Sequence, residues 1–199
     1  TEGYGPNAEA IKGLVTEGAK LIVTVDCGTA SIDALSVAAP LGADVIVVDH
    51  HQADERLPDV AALINPNRQD DISGLGHLCA AGVVFMVLVA TTRELRKRSY
   101  YTGSATPPDL LTLLDLVGLA TVCDVVPLKG LNRAYVTKGL QTMRQRRNVG
   151  LKALSDAAAL AVAPTAYHLG FVLGPRINAG GRIGDAALGA KLLSIDDEA

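Results

Sequence analysis

Asp26, Asp49, His50, His51 and Asp124 are the residues whose types and spacing suit chemistry. Asp26 closes the run Ile22-Val23-Thr24-Val25, and Asp49 closes Val45-Ile46-Val47-Val48. Carboxylates at the ends of two neighbouring strands repel unless a cation or a proton lies between them. Capping of a following helix is the other reading of each. Asp49-His50-His51 adds two consecutive imidazoles. A neutral imidazole nitrogen suits a transition metal, and a carboxylate beside it can take the other ring proton and fix the tautomer. In a loop, one ring can face a metal and the other a substrate. Asp124 lies within Val122-Cys123-Asp124-Val125-Val126-Pro127. A carboxylate in so apolar a setting is costly unless paired, so it reads as a cap or as a third ligand brought to the same crevice. Oxygens from Asp with one His fit Mn²⁺ or Mg²⁺ better than a structural zinc site.

A second segment, Gly174-Pro175-Arg176-Ile177-Asn178-Ala179-Gly180-Gly181-Arg182, places two guanidiniums beside glycines. Glycine lets the backbone approach a ligand, and guanidinium grips phosphate in bidentate fashion. A connector whose arginines pair with nearby acids is the alternative. The glycine density predicts no regular helix over 174–184. Basic clusters at 93–98 and 144–147 read as solvated faces, one of which could touch a polyanion backbone. No Walker motif, no Gly-x-Gly-x-x-Gly after a first strand and no Gly-x-Ser-x-Gly elbow is present.

The elements that must position these residues form a β-α-β unit. Residues 18–26 and 42–49 rhyme: each is a glycine turn, an aliphatic run and an aspartate. Such continuous runs predict parallel strands covered on both faces, joined by a helix over 29–39. A helix capped by Asn7 is expected over 7–16, and a short strand ends at Asn65-Pro66-Asn67. Helices are expected over 79–93, 109–121, 132–145, 151–159, 164–174 and 186–193. The expected class is α/β: a parallel sheet flanked by helices, followed by a mostly helical second half. The domains are placed at 1–75 and 76–199.

Composition sets the frame. The chain has 199 residues, 49% hydrophobic and 20% charged, with a net charge of −3. A buried core is within reach, and a strongly basic nucleic-acid tail is excluded. Aromatics are 4%, so stacking platforms for bases are few. Cys27, Cys79 and Cys123 have no metal-ribbon spacing, form an odd set and suit a reducing compartment; Cys27 and Cys123 are expected to be small core residues. The longest apolar run, 79–90, is too short to span a bilayer.

Taken in chain order, these residues follow the pattern of a family. Ile22-Val23-Thr24-Val25-Asp26-Cys27-Gly28, Val48-Asp49-His50-His51, Gly118-Leu119-Ala120-Thr121-Val122-Cys123-Asp124-Val125-Val126-Pro127-Leu128 and the segment from Gly174 to Arg182 resemble, in that order, the RecJ exonuclease branch of the DHH phosphoesterase superfamily. Asp-His-His alone marks the superfamily; the glycine-arginine segment is more specific. The resemblance spans essentially the whole chain. It implies a metal-dependent exonuclease that degrades single-stranded DNA from the 5′ end to mononucleotides, in recombination and repair. It implies two divalent metals, Mn²⁺ or Mg²⁺. Asp26 would be shared between them, with His50 and Asp124 as further ligands. Asp49 would support an imidazole, and His51 would meet the scissile phosphate. Arg176, Asn178 and Arg182 would lie near the DNA path. The family carries an Asp-x-Asp-Gly motif on an earlier strand, and none precedes Asp26. Part of the ligand set is therefore expected upstream and a DNA-clamping domain downstream, with the piece inactive alone. Single-stranded DNA is the implied partner, with a repair helicase or single-strand-binding protein as further candidates. A monomer, no membrane and a cytoplasmic location are expected. The competing functions are a related phosphoesterase for short oligonucleotides or cyclic dinucleotides, and a non-catalytic nucleic-acid-binding module.

Overall fold

A computed structural model describes residues 5–183, 185 and 187–196, and the chain divides into two compact units, Thr1–Val87 and Leu88–Ala199. In the first unit, helix α1 (Ala8–Thr16) opens on Asn7, whose side chain accepts the Ala10 N–H at 2.8 Å. Strands β1 (Leu21–Val25), β2 (Asp44–Val48) and β3 (Ala62–Ile64) form a parallel sheet in the order β1-β2-β3. The register pairs Val25 with Val48, and Val48 with Ile64. Each strand therefore ends level with its neighbour. The next residues, Asp26, Asp49 and Asn65, form one row at the carboxyl edge, where open parallel sheets place their ligands.

The first unit's core joins Ile11, Ile22, Leu35, Ala38, Ala43, Val45 and Val47. Burial of these aliphatic side chains, each worth about 1.5–3 kcal/mol when complete, holds the sheet on its helices. The strands were expected to be covered on both faces. That holds better for β2 than for β1, which alternates: Ile22 and Thr24 face inward while Leu21, Val23 and Val25 are half exposed. β1 is an edge strand among the described residues, and α1 packs on its inner face only. The helix expected over 29–39 shrinks to α2 (Ile32–Leu35), followed by a 3₁₀ turn, Ala39–Leu41, that Pro40 and the left-handed Gly42 close.

Helix α3 (Ala80–Lys97) crosses the boundary between the units. Its first half is buried through Phe85; Met86, Leu88 and Val89 are partly exposed. The second unit is otherwise helical: α4 (Leu114–Cys123), α5 (Gly130–Met143), α6 (Val149–Ala157), α7 (Ala166–His168), α8 (Gly174–Ile183) and α9 (Leu188–Leu193). Its core gathers Leu119, Met143, Leu151, Leu169 and Leu173. Gly118 and Gly139 let α4 and α5 meet backbone to backbone; a Cβ on Gly118 would lie 3.1 Å from the Tyr135 carbonyl. Among the described residues no helix is long and apolar enough to cross a membrane.

The expectation for 174–184 is corrected. A π-helical turn, Leu169–Leu173, runs directly into α8. Pro175 comes straight after that π-helical turn and contributes no N–H of its own to the run. The glycines serve packing rather than irregularity: a Cβ on Gly180 would sit 3.3 Å from Leu188, and one on Gly189 3.0 Å from Ile177. Small residues let α8 and α9 approach. The cysteines depart from expectation too: Cys79 is buried, Cys27 half-buried and Cys123 exposed.

Candidate metal centre

The row at the carboxyl edge of the sheet differs in each residue's exposure. Asp26 has φ +63°, a left-handed conformation that Asp tolerates better than most residues. Its N–H still bonds to the Val48 carbonyl at 3.0 Å, so the chain turns sharply only after the ladder is complete. The turn continues through Gly28, φ +118°, where a Cβ would meet Thr24 Oγ1 at 2.6 Å. Glycine is required there on both counts. The Asp26 side chain is left 64% exposed.

Asp49, one strand along, is 1% exposed. Its Oδ2 accepts from the Thr29 N–H at 3.1 Å, and its Oδ1 accepts from the His50 N–H at 2.7 Å and from His51 Nδ1 at 2.7 Å. Burial alone would raise its pKa. Hydrogen bonds from the Thr29 and His51 side chains and from backbone N–H groups outweigh that and hold the carboxyl well below the usual range. Asp49 is therefore an ionised orienter. It fixes His51 with Nδ1 protonated and Nε2 directed elsewhere.

His50 is fixed from the other side. Its Nδ1 lies 3.0 Å from the Leu78 carbonyl, which can only accept, so Nδ1 carries a proton. Its Nε2 then presents a lone pair 3.2 Å from Asp26 Oδ1. Two acceptors at that distance need a proton or a cation between them. The His50 and His51 ring centroids are 4.6 Å apart. Asp26, His50 and His51 each offer one ligand atom, all within 4.8 Å of one another. This donor set, one carboxylate and two imidazoles with assigned tautomers, fits a first-row divalent ion.

The loop's backbone is held by residues that the sequence reading passed over. Asn65 is 3% exposed; its Nδ2 donates to Thr29 Oγ1 at 2.9 Å and to the His51 carbonyl at 2.8 Å. Asn67 Nδ2 donates to the His50 carbonyl at 2.5 Å and to the Gly76 carbonyl at 3.0 Å. Sequence marked Asn65-Pro66-Asn67 only as a turn. The available signal was two amides flanking a proline straight after a strand, in the same position as Asp26 and Asp49.

The remaining expected residues lie in the second unit. Asp124 is the C-cap of α4, and its N–H bonds to the Ala120 carbonyl at 2.9 Å. The premise that its setting is buried is corrected: Asp124 is exposed, and the Val125 side chain is 87% exposed with φ +58°. A β-branched residue in the left-handed region is a strained outlier. Arg176 is exposed on α8, with Nη1 donating to the Val172 carbonyl at 2.8 Å. Asn178 is exposed two residues on. The Arg182 side chain lies outside the described residues. His168 completes a capping box with Thr165.

The model of the DHH family, N-terminal domain, matches residues 2–119. The chain is 41% identical to the single-stranded-DNA-specific exonuclease RecJ of Salmonella typhimurium over 98% of its length, covering 34% of that protein. It is 34% identical to RecJ of Thermus thermophilus, covering 27% of it. The chain thus spans between about a quarter and a third of the length of these relatives. A crystal structure of exonuclease RecJ bound to manganese superposes with a TM-score of 0.81 at 34% identity, covering 98% of this chain and 47% of that one. The crystal structure of RecJ from Thermus thermophilus in complex with Mn²⁺ gives 0.79 at 33%, covering 96% and 27%.

Proposed function

Because this chain belongs to the DHH family, we propose that it is the central part of a metal-dependent 5′-to-3′ exonuclease that hydrolyses single-stranded DNA to mononucleotides. The observation that carries the reading is the approach of His50 Nε2 to Asp26 Oδ1, two atoms 3.2 Å apart that a cation, or a proton in its absence, must bridge. Mn²⁺ or Mg²⁺ would be held by Asp26 and His50, with Asp124 as a further ligand and the remaining ligands on an upstream Asp-x-Asp-Gly strand. Bound there, a pair of divalent ions supplies charge neutralisation and activation of water. His51, its Nδ1–H donated to Asp49, directs Nε2 toward the scissile phosphate. Arg176, Asn178 and Arg182 guide the strand. The resemblance to RecJ proteins supports the substrate, since the names of the relatives specify single-stranded DNA. A repair helicase or a single-strand-binding protein is the further partner, and the chain works as a cytoplasmic monomer.

The test uses a protein of the relatives' length containing this chain, with a substrate series of rising length. Mn²⁺-dependent release of mononucleotides from 5′-phosphorylated single strands, lost in Asp26→Asn, is the expected outcome. Preference for dinucleotides over long strands would assign it to the short-oligonucleotide phosphoesterases instead. DNA binding without metal uptake or hydrolysis would leave a non-catalytic module. The 199-residue chain alone is expected to be inactive.

A further inference from the structure

A cavity of about 390 Å³ lies wholly within the second unit, far along the sequence from Asp26, His50 and His51. Its volume falls in the range of small-molecule sites, roughly 300–1,000 Å³. Its lining is graded. The inner residues Asp115, Met143, Leu151 and Ser155 are all buried, while Arg144, Arg146 and Val162 at the mouth are open to solvent. Asp115 is the unusual member. It is 3% exposed, and Oδ1 accepts the Leu116 N–H at 2.7 Å. Among the described residues no side-chain donor reaches its second oxygen. Its position in the first turn of α4 lets the helix dipole tolerate the charge, and the hydrogen bonds it accepts come from backbone N–H groups alone.

A ligand that suits this cavity must bring hydrogen-bond donors to the floor and negative charge to the mouth. A simple anion fails the first requirement, because it would be repelled at Asp115. A simple cation fails the second. The apolar walls, Met143, Leu151 and Val162, suit a flat ring between the two ends. We propose that this cavity binds a guanine nucleotide, with the base's imino and amino hydrogens donated to Asp115 and the phosphate held at the mouth by Arg144 and Lys152. Paired N–H donors match a carboxylate in the way that guanidinium does. Arg146 is already clamped on both Asp156 oxygens at 2.6 Å and shapes the mouth. Ser155 donates to the Leu151 carbonyl at 2.7 Å, so its oxygen remains an acceptor for the ligand.

The experiment is calorimetric titration of the 199-residue protein in EDTA, so that no metal bridges a nucleotide to Asp26 and His50. The probes are dGMP, dTMP and inorganic phosphate. Binding of dGMP about 10- to 100-fold tighter than dTMP is expected, as a paired-donor contact commands. Asp115→Asn should erase that preference while leaving phosphate binding intact. Arg144→Gln, at the exposed mouth where folding is not at stake, should weaken dGMP and phosphate alike. Equal affinity for dGMP and dTMP, no binding of either, or dGMP binding unchanged in both variants would overturn the proposal. Metal-dependent hydrolysis is measured separately, so the two readings fail independently.

Discussion

The loop at Asp49-His50-His51 and the turn after Asp124 both carry acidic groups, yet they are built in opposite ways. In the loop, every element is tied to another: Asp49 to three N–H groups, His50 to Leu78, and the carbonyls of both histidines to Asn65 and Asn67. In the turn, Asp124 and Val125 are exposed, and Val125 sits strained in the left-handed region. Burial and chemistry therefore separate in this molecule. The most buried carboxylate, Asp49, orients the His51 ring and lies outside the donor set itself. The exposed carboxylate, Asp26, offers the ligand atom. Like Val125, it occupies the left-handed region at a sharp turn. Strain of this kind persists where surrounding structure imposes it, and it clusters at functional sites.

The largest effect that sharpens the contrast belongs to Asp26→Asn. Asn accepts the left-handed backbone as readily as Asp, so the fold should be unaffected and the melting temperature should stay within about 1–2 °C of the parent. Hydrolysis by a protein of the relatives' length should fall by about three orders of magnitude, since a metal ligand contributes several kcal/mol to the transition state. A drop in DNA affinity matching the drop in turnover would remove Asp26 from the catalytic centre.

Asp49→Asn should act through both position and stability. An amide cannot accept on both sides, so one of the N–H groups around it loses its partner. Urea unfolding should show a loss of about 2–3 kcal/mol, and Mn²⁺ affinity should fall about 10- to 100-fold, as is usual for groups that orient a ligand. Asp124→Asn is the control. It sits on an exposed cap, so unfolding should change less than in Asp49→Asn while metal uptake falls. If Asp124→Asn destabilised the chain as much as Asp49→Asn, the division between a braced loop and an open turn would not stand.

Much of this was legible in the sequence, and the reasons for what was not are physical. Rhyming aliphatic runs specified β1, β2 and their parallel pairing, because a buried strand needs continuous apolar character. That placed Asp26 and Asp49 on one edge. Asp-His-His carried its own chemistry. What sequence could not convey was which carboxylate faced inward, since that depends on the left-handed turn at Asp26 and on the donors gathered around Asp49. Asn65 and Asn67 were hidden because amides that brace a loop look like any turn. Gly174 to Ile183 misled because glycine signals both irregular backbone and close helix packing. Asp124 misled because apolar neighbours in sequence, Val125 above all, need not surround a residue in space.

The smallest effect concerns pH and sets Asp49 against Asp115. Hydrogen bonds hold the Asp49 carboxyl well below the unfolded value of about 3.9. The unfolded chain therefore binds its proton first. The stability Asp49 contributes is complete above about pH 5 and is lost progressively as pH falls below about 4 toward the folded value. Asp115 has the opposite sign: burial raises its pKa, only partly offset by the backbone N–H groups of Leu116 and Asp115. The folded chain holds that proton more tightly, so its contribution is present below about pH 4 and lost as pH rises through the raised folded value. Urea midpoints between about pH 2.5 and 7 should then separate the two variants. Asp49→Asn should flatten the acid limb of the parent curve. Asp115→Asn should remove a decline on the neutral side, leaving the acid limb as it was. The effect is modest, because each limb carries one group among many carboxylates. Both variants altering the same limb in the same direction would mean that the two buried carboxylates share one kind of environment.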